Sequence, residues 1–262
     1  MPFHQPHQVR YLTFDSFAEN GLTHAVFTRI GGESRGYLSS LNVGLTVGDD
    51  PEIVARNRQL AFKTLNRQIN TLSDSWLVHQ DNFVIYDAPR PPDQKIPPKA
   101  DIILTDNPAV SLFMRYADCV PILLYDPEHH AIGLAHAGWK GTVMKVAKTA
   151  VEAMGTRYGT RPANLLTAIG PSIGPDRYQV GPEVVEQVKQ AFNSEAPSLL
   201  PKFGDSTHFD LWAANRLTLI QAGVRQIEEA EICTASNTQD WFSHRAEQGK
   251  TGRFGVLLAL KD

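Results

Sequence analysis

The chain has 262 residues, 42% of them hydrophobic, and its 25 lysines and arginines against 28 acidic residues give a formal net charge of -3. This balance offers no broad electrostatic attraction for a nucleic-acid backbone or an anionic membrane, so neither is an expected partner. The apolar runs are strand-sized, and none approaches the roughly 20 residues that span a bilayer. Because the start of the chain lacks the pattern of a signal peptide and only two cysteines are present, the expected location is the cytoplasm.

The first part of the chain predicts a strand, a loop and a long helix. The strand is expected at 25–27, and the segment 28–36 has three glycines and two arginines, which is typical of a surface loop. Asp50 and Pro51 predict a helix start, because Asp is a favoured N-cap residue and Pro suits the first helical position. The helix would bury an apolar stripe of helical period formed by Ile53, Val54, Ala61 and Leu65.

Two further short strands are predicted at 76–78 and 83–86, with His79 in the turn between them. A side chain at a strand end projects from a rigid support, so this position suits a functional residue. The proline-rich segment 88–98 predicts an extended loop.

The middle of the chain predicts a β-hairpin. Strand patterns at 120–125 and 131–135 are joined by the turn 126–130, and another strand is expected at 110–114. Cys119 stands just before the first hairpin strand and His136 just after the second. The start of one antiparallel strand lies beside the end of the other. The two residues are therefore expected to lie close together, despite seventeen positions of separation.

With His79, these two residues form a candidate metal site. Two imidazoles and one thiolate suit Zn²⁺ and would also bind Cu²⁺, and three protein ligands leave one position of a tetrahedral ion open, as in catalytic sites. The short ligand spacing of a zinc finger is missing, so a buried inert thiol at Cys119 stays an alternative. Cys233 is interpreted as a core residue, and His129 and His130 as solvated turn residues.

A loop bracketed by Gly138 and Gly141 follows His136 and leads into a helix. Such a loop presents free N–H groups that could bind a phosphate beside the metal. The predicted helix carries on one face the apolar residues Val143, Val146, Ala147, Ala150, Val151 and Met154.

The second half alternates strand and helix patterns. We expect a strand at 165–169, a rigid turn at 170–175, a helix around 184–192, a helix from Asp210 to Gly223 and a final buried strand at 254–260. The mixture of hairpins and strand–helix units predicts an α/β or α+β fold with a mixed sheet, in a single domain over residues 1–262.

Five segments resemble the signature motifs of the YfiH, or laccase-domain, family, in the expected order over nearly the whole chain. They are 27–32 (FTRIGG), 116–121 (YADCVP), 136–141 (HAGWKG), 169–174 (IGPSIG), and 242–245 (FSHR) followed by 251–253 (TGR). One departure is His244, at a position where the family usually has tyrosine.

The resemblance implies a single-domain, layered α/β/β/α sandwich with mixed sheets, and a zinc ion bound by His79, Cys119 and His136. It also implies phosphorolysis of adenosine, inosine and S-methyl-5′-thioadenosine, with adenosine deamination as a second activity. A copper-dependent polyphenol oxidase and an amidase acting on a cell-wall precursor are alternative activities within the family. The substrates would be small molecules, and the protein would be a monomer or a small homo-oligomer.

Phosphorolysis requires cations or amides that bind phosphate, and a way to neutralise charge on the departing base. Besides the amides near Gly138, the candidates for phosphate or substrate contact are Arg29, Arg56, Gln80, Arg115 and Arg245. The metal ligands are catalytic candidates, and so is Asp118, the carboxylate nearest to them in sequence. Asp118 could instead accept backbone hydrogen bonds. Arg245 and Arg253 could instead hold a loop through salt bridges.

Two chemical patterns limit the alternatives. Cytidine deaminases carry a catalytic glutamate just after a zinc-binding histidine, and here Gly138 occupies that place, so deamination would need another general acid/base. Multicopper oxidases bind several coppers through His-x-His pairs, and this chain has no such pair. A true laccase site is therefore not expected. A third class, a metal-stabilised module without enzymatic activity, stays open.

Overall fold

Two six-stranded β-sheets lie face to face at the centre of the structure, a computed structural model that describes residues 1–261. Helices cover the outer face of each sheet, so the order of layers is helix, sheet, sheet, helix. The predicted α/β/β/α sandwich is confirmed. The single domain over residues 1–262 stays a prediction, and its last residue, Asp262, lies outside the described residues.

The strands, in chain order, are β1 (Phe3–His4), β2 (Tyr11–Leu12), β3 (Thr23–Phe27), β4 (Leu72–Ser73), β5 (Phe83–Ile85), β6 (Ile102–Thr105), β7 (Ser111–Tyr116), β8 (Val120–Asp126), β9 (Ala131–Ala137), β10 (Leu166–Ile169), β11 (Lys202–Phe203), β12 (Ser206–Thr207), β13 (Gln226–Glu229) and β14 (Phe254–Ala259). The α-helices are α1 (Asp15–Glu19), α2 (Pro51–Thr64), α3 (Trp139–Val143), α4 (Val146–Tyr158), α5 (Pro182–Phe192), α6 (Ala196–Leu199) and α7 (Leu211–Gln221). None of these helices combines the length and apolar character needed to cross a membrane.

The first sheet has the strand order β1-β2-β3-β14-β7-β4, and the second has the order β13-β10-β8-β9-β6-β5. Most neighbouring strands are antiparallel, but β4 runs parallel to β7, β5 to β6 and β10 to β13. Both sheets are therefore mixed, as predicted.

The last strand shows why its sequence is apolar throughout. Successive side chains of a strand point to opposite faces. In β14, Val256 and Leu258 pack between the two sheets, whereas Leu257 packs with Ala61 and Phe62 of α2 on the outer face. Because both faces are covered, every residue of β14 is buried. The other outer layer, α3 to α7, covers the second sheet.

Four local predictions need correction. Residues 76–78 do not form a strand, because the Val78 amide donates to the Asp101 carboxylate instead of to a neighbouring strand. His136 lies inside β9 and not after it. The single helix predicted after Gly141 is two helices, α3 and α4, since Lys145 has a left-handed backbone (φ 60°) through which an α-helix cannot continue. Residues 139–142 also belong to α3, and the Thr142 amide donates to the Gly138 carbonyl, so that segment is not a free loop.

Candidate metal centre and its cavity

The three predicted ligand residues meet at one point of the structure. The ligand atoms of His79, Cys119 and His136 all lie within 4.8 Å of one another. In the hairpin, β8 and β9 pair so that Pro121 faces His136, which brings Cys119 beside the imidazole as expected. His79 approaches from the turn before β5, and its ring meets the His136 ring edge-on at 5.0 Å between centroids. One thiolate and two imidazoles are donors that fit zinc.

The charges within this trio favour the form of cysteine that binds metals. Burial alone would raise the pKa of the Cys119 thiol, but the charge and hydrogen bonds of His136 and His79 outweigh burial and lower this pKa to about 6. Burial alone would lower the pKa of His136, but the Cys119 thiolate and the Asp101 carboxylate raise it to about 9. These two shifts favour a thiolate at Cys119 and a proton on His136, which a metal ion would displace.

Asp101 supports two of the three ligands and was not predicted from the sequence. One of its carboxylate oxygens lies 2.8 Å from Nδ1 of His136. The other accepts hydrogen bonds from the amides of Val78 (3.0 Å) and Gln80 (2.9 Å). These two amides flank His79, whose backbone is left-handed (φ 57°), a conformation that a non-glycine residue adopts only when its surroundings hold it there. Asp101 therefore orients His136 and holds the turn that presents His79.

Replacing Asp101 with asparagine should weaken zinc binding by about 10- to 100-fold, because the amide keeps the shape but loses the charge and one acceptor oxygen. Competition with a chromophoric chelator measures this affinity. Asp93→Asn, in the exposed loop after β5, removes the same charge and should leave zinc affinity within about twofold of the original. Equal zinc affinity in the Asp101 variant and the unchanged protein would contradict the positioning role.

Gly138 is required by space and not by backbone conformation. Its φ is -72°, which any residue can adopt. A Cβ atom at this position would lie 3.0 Å from Sγ of Cys119 and 3.3 Å from the His79 ring. A side chain at the place where a cytidine deaminase has its catalytic glutamate would therefore crowd Cys119 and His79.

The metal centre lies in the wall of a cavity of about 840 Å³, a size typical of small-molecule sites. Seven lysine or arginine side chains and two aspartates, Asp74 and Asp118, contribute to its lining. Trp139, Tyr178 and His244 also line the cavity. His244, which stands where the family motif usually has tyrosine, therefore faces the same space as the metal ligands. The excess of cations favours anionic ligands.

Only some of the predicted substrate-binding residues reach this cavity. Arg115 and Arg245 line it. Arg29 instead bridges loops: it donates to the carbonyls of Ser39 and Thr238 and pairs with Glu247 at 3.0 Å. Arg56 is exposed and pairs with Glu33 at 2.7 Å. Gln80 is exposed, and its amide is the group that Asp101 holds. These three residues are not among those that line the cavity.

Asp118 holds several loops together beside the metal centre. Its backbone is left-handed (φ 78°), and its two carboxylate oxygens accept hydrogen bonds from the Thr234 hydroxyl and the Arg245 amide, each at 2.7 Å. Its carbonyl accepts from the Ile173 amide. Asp118 therefore accepts a backbone hydrogen bond, as the alternative interpretation predicted. Its catalytic role stays a prediction.

Arg245 and Arg253 hold loops by hydrogen bonds to backbone carbonyl groups and not by the salt bridges that the sequence analysis offered as an alternative. Arg245 donates to the Gln179 carbonyl at 2.8 Å and lies over the Tyr178 ring. Arg253 donates to the carbonyls of Thr251 and Gly252. Both arginines line the cavity.

The residues predicted to lie away from the site do so. Cys233 is buried, and its sulfur accepts a hydrogen bond from the Gly174 amide, in agreement with a core role. His130 is exposed. His129 is also exposed, but its Nδ1 lies 2.8 Å from the Asp126 carboxylate, so the ring is tied to the end of β8 and not free in solvent.

Comparisons with known proteins found similar sequences and a similar structure over nearly the whole chain. The family model described as "Multi-copper polyphenol oxidoreductase laccase" matches residues 23–261. A protein named purine nucleoside phosphorylase from Bacteroides thetaiotaomicron is 33% identical over 260 residues, which cover 95% of this chain and 96% of that protein. Another of that name, from Deinococcus radiodurans, is 37% identical over 237 residues, covering 90% and 88%. The crystal structure of YlmD from Geobacillus stearothermophilus has a TM-score of 0.92 at 33% identity, over 99% of both chains.

Proposed function

Because the chain belongs to the YfiH, or laccase-domain, family, we propose that it is a zinc-dependent purine nucleoside phosphorylase. The observation that carries the proposal is the meeting of His79, Cys119 and His136 in the wall of a cationic cavity. The names of two relatives of nearly the same length support the same reaction. The proposed substrates are adenosine, inosine and S-methyl-5′-thioadenosine. We place the reaction in the cytoplasm, catalysed by a monomer or a small homo-oligomer.

In the proposed reaction, a phosphate oxygen forms a bond to C1′ of the ribose while the bond from C1′ to N9 of the purine breaks. The electron pair of the broken bond leaves with the purine, which takes up a proton. The products are the free base and ribose 1-phosphate, or its methylthio derivative. A zinc ion held by the two histidines and Cys119 would supply a Lewis acid that stabilises developing negative charge.

The residues of the chain supply binding and orientation for this reaction. The cationic lining neutralises the phosphate, which would otherwise lose the stabilisation of bulk water. Asp101 keeps His136 in one orientation, so the geometry of the metal centre is set before the substrate binds. Trp139 and Tyr178 offer aromatic surfaces on which a purine ring can pack.

Adenosine deamination is proposed as an accessory activity. A general acid/base cannot come from position 138, and Asp118 is the carboxylate in the cavity wall that we assign to proton transfer. In that role it would exchange its hydrogen bond from Thr234 or Arg245 for one to the substrate. These bonds make deamination slower than phosphorolysis in our proposal.

The description of the matching family model favours a second candidate, copper-dependent oxidation of phenols. Imidazole and thiolate ligands would bind Cu²⁺ tightly. Among the described residues, however, one group of three or more such ligands comes together, whereas a multicopper oxidase needs several sites. We therefore rank this activity below phosphorolysis.

Product analysis separates the candidates. Protein stripped by a chelator and reloaded with zinc is incubated with adenosine, with and without phosphate, and the products are identified by chromatography. We expect adenine that depends on both zinc and phosphate. Inosine that forms equally without phosphate would make deamination the main activity. Turnover of a phenol by copper-loaded protein, well above that of the free ion, would support the oxidase instead.

A further inference from the structure

A second group of buried charges lies in the wall of the same cavity. It consists of Asp74 and the guanidinium groups of Arg58, Arg90 and Arg115, and we call it the arginine cluster. The Asp74 carboxylate lies 3.0 Å from Arg115, 3.1 Å from Arg90 and 3.6 Å from Arg58. The Asp74 side chain is 1% exposed, and those of the three arginines are 11% to 16% exposed. One buried carboxylate therefore faces three cations.

The charge of this cluster is not balanced by its own members. Three guanidinium groups and one carboxylate carry a formal charge of +2. Burial and the neighbouring Arg115 lower the pKa of Arg58, and Asp74 opposes them, so that the pKa is about 10. Arg58 therefore stays charged at neutral pH. Because a buried charge is costly unless it is paired, the cluster favours binding of a further anion.

Arg58 also has a donor group that no part of the protein uses. Its Nε donates to the Val43 carbonyl at 3.0 Å, and its Nη1 faces Asp74. Its Nη2 is buried and has no hydrogen-bond acceptor among residues 1–261. Nearly all buried polar groups in proteins are hydrogen-bonded. Arg58 lines the cavity, and the unpaired Nη2 leaves its guanidinium group able to donate to a ligand bound beside it.

The arginine cluster and the metal centre belong to one continuous site. Arg115 lies near the end of β7, four residues before Cys119, and both residues line the cavity. Arg253 lines the same cavity as both groups. A cavity of about 840 Å³ has room for a small anion and a nucleoside side by side.

We propose that the arginine cluster is the binding site for a phosphate dianion, the co-substrate of the reaction proposed above, on which this inference rests. Two negative charges cancel the formal charge of +2. Planar guanidinium groups match phosphate oxygens better than any other side chain. Asp74 holds the three guanidinium groups, through opposite charge, in a cavity that phosphate shares with the nucleoside.

The test is the binding of inorganic phosphate to the zinc-loaded protein, measured by isothermal titration calorimetry without any turnover. Arg58→Gln should weaken phosphate binding by about 10- to 100-fold, since it removes a charged donor from a buried site. The matched control is Arg56→Gln, on the same helix two residues earlier, where the guanidinium pairs with Glu33 outside the cavity. This control loses the same charge and should bind phosphate within about twofold of the unchanged protein. An equal loss in both variants would mean that only net charge matters, and would overturn the proposal.

A second variant, Arg90→Gln, covers the case in which Arg58→Gln does not fold, and should weaken phosphate binding similarly. If the unchanged protein binds no phosphate, the proposal fails. Phosphorolysis with an unaltered KM for phosphate in both variants would sink the inference and leave the proposed function intact. Phosphate binding that depends on Arg58, without any phosphorolysis, would support the inference and overturn the proposed function.

A titration with adenosine 5′-monophosphate separates free phosphate from the phosphate group of a nucleotide. Binding much tighter than that of free phosphate, and dependent on Arg58, would assign the cluster to a nucleotide and overturn the co-substrate role.

Discussion

Replacement of Cys119 with alanine should lower kcat/KM for adenosine phosphorolysis by at least about a hundredfold, because the loss of one of three ligands removes the metal and its several kcal/mol of transition-state stabilisation. The two imidazoles that remain, one of them on an exposed turn residue, would bind zinc far more weakly. Zinc content by mass spectrometry and initial rates at saturating phosphate measure the two effects together.

The other cysteine provides the control for this variant. Cys233→Ala also removes a thiol, but from the core contact with the Gly174 amide. It should keep one zinc ion per chain and an unchanged rate, with a loss of about 1 kcal/mol in the free energy of unfolding. A Cys119→Ala protein that turns over adenosine as fast as the Cys233→Ala protein would remove the metal centre from the mechanism.

Replacement of Asp74 with asparagine should lower the free energy of unfolding by about 3 to 5 kcal/mol, because three guanidinium groups would be left in a buried position without their shared counter-ion. Chemical denaturation monitored by circular dichroism measures the loss. Asp205→Asn, in the exposed turn between β11 and β12, removes the same charge and should change stability by less than about 0.5 kcal/mol.

Phosphate gives this stability experiment a second readout. A bound anion would partly replace the missing carboxylate, so added inorganic phosphate should raise the melting temperature of the Asp74→Asn protein by more than that of the unchanged protein. If the variant is as stable as the Asp205 control, the arginines would not need Asp74, and the account of the cluster would be wrong.

The approach of Cys119 to His136 could be predicted because it depends on local structure. Cys119 and His136 flank a hairpin whose turn is visible in the sequence, and antiparallel pairing alone brings them together. Asp101 could not be found in this way. It acts on His136 because β6 pairs with β9, with Ile102 opposite Ala135, and no local pattern reveals which distant strands are neighbours.

The arginine cluster illustrates a different difficulty. Arg58 lies on the buried face of α2, four residues after Val54 and three before Ala61, both of which are fully buried. A charged residue inside an apolar stripe is a signal from which the burial of Arg58 could have been predicted. Its partners, Asp74 and Arg90, lie in segments without regular structure and approach only through the tertiary fold. Arg29 shows the reverse, since an arginine inside a family-like motif does not by itself indicate contact with a ligand.

The register of the β8–β9 hairpin also decides where this protein can tolerate changes in length. Cys119 and His136 stand at one end of the ladder, and the turn at residues 127–130 stands at the other, where Asp126 pairs with Ala131. Residues added to that turn would extend a surface loop and leave the pairing near the metal centre unchanged. A single residue inserted within β9, by contrast, would rotate every side chain beyond it to the opposite face of the sheet. If the inserted residue precedes His136, the imidazole would point away from Cys119 and the metal site would be lost.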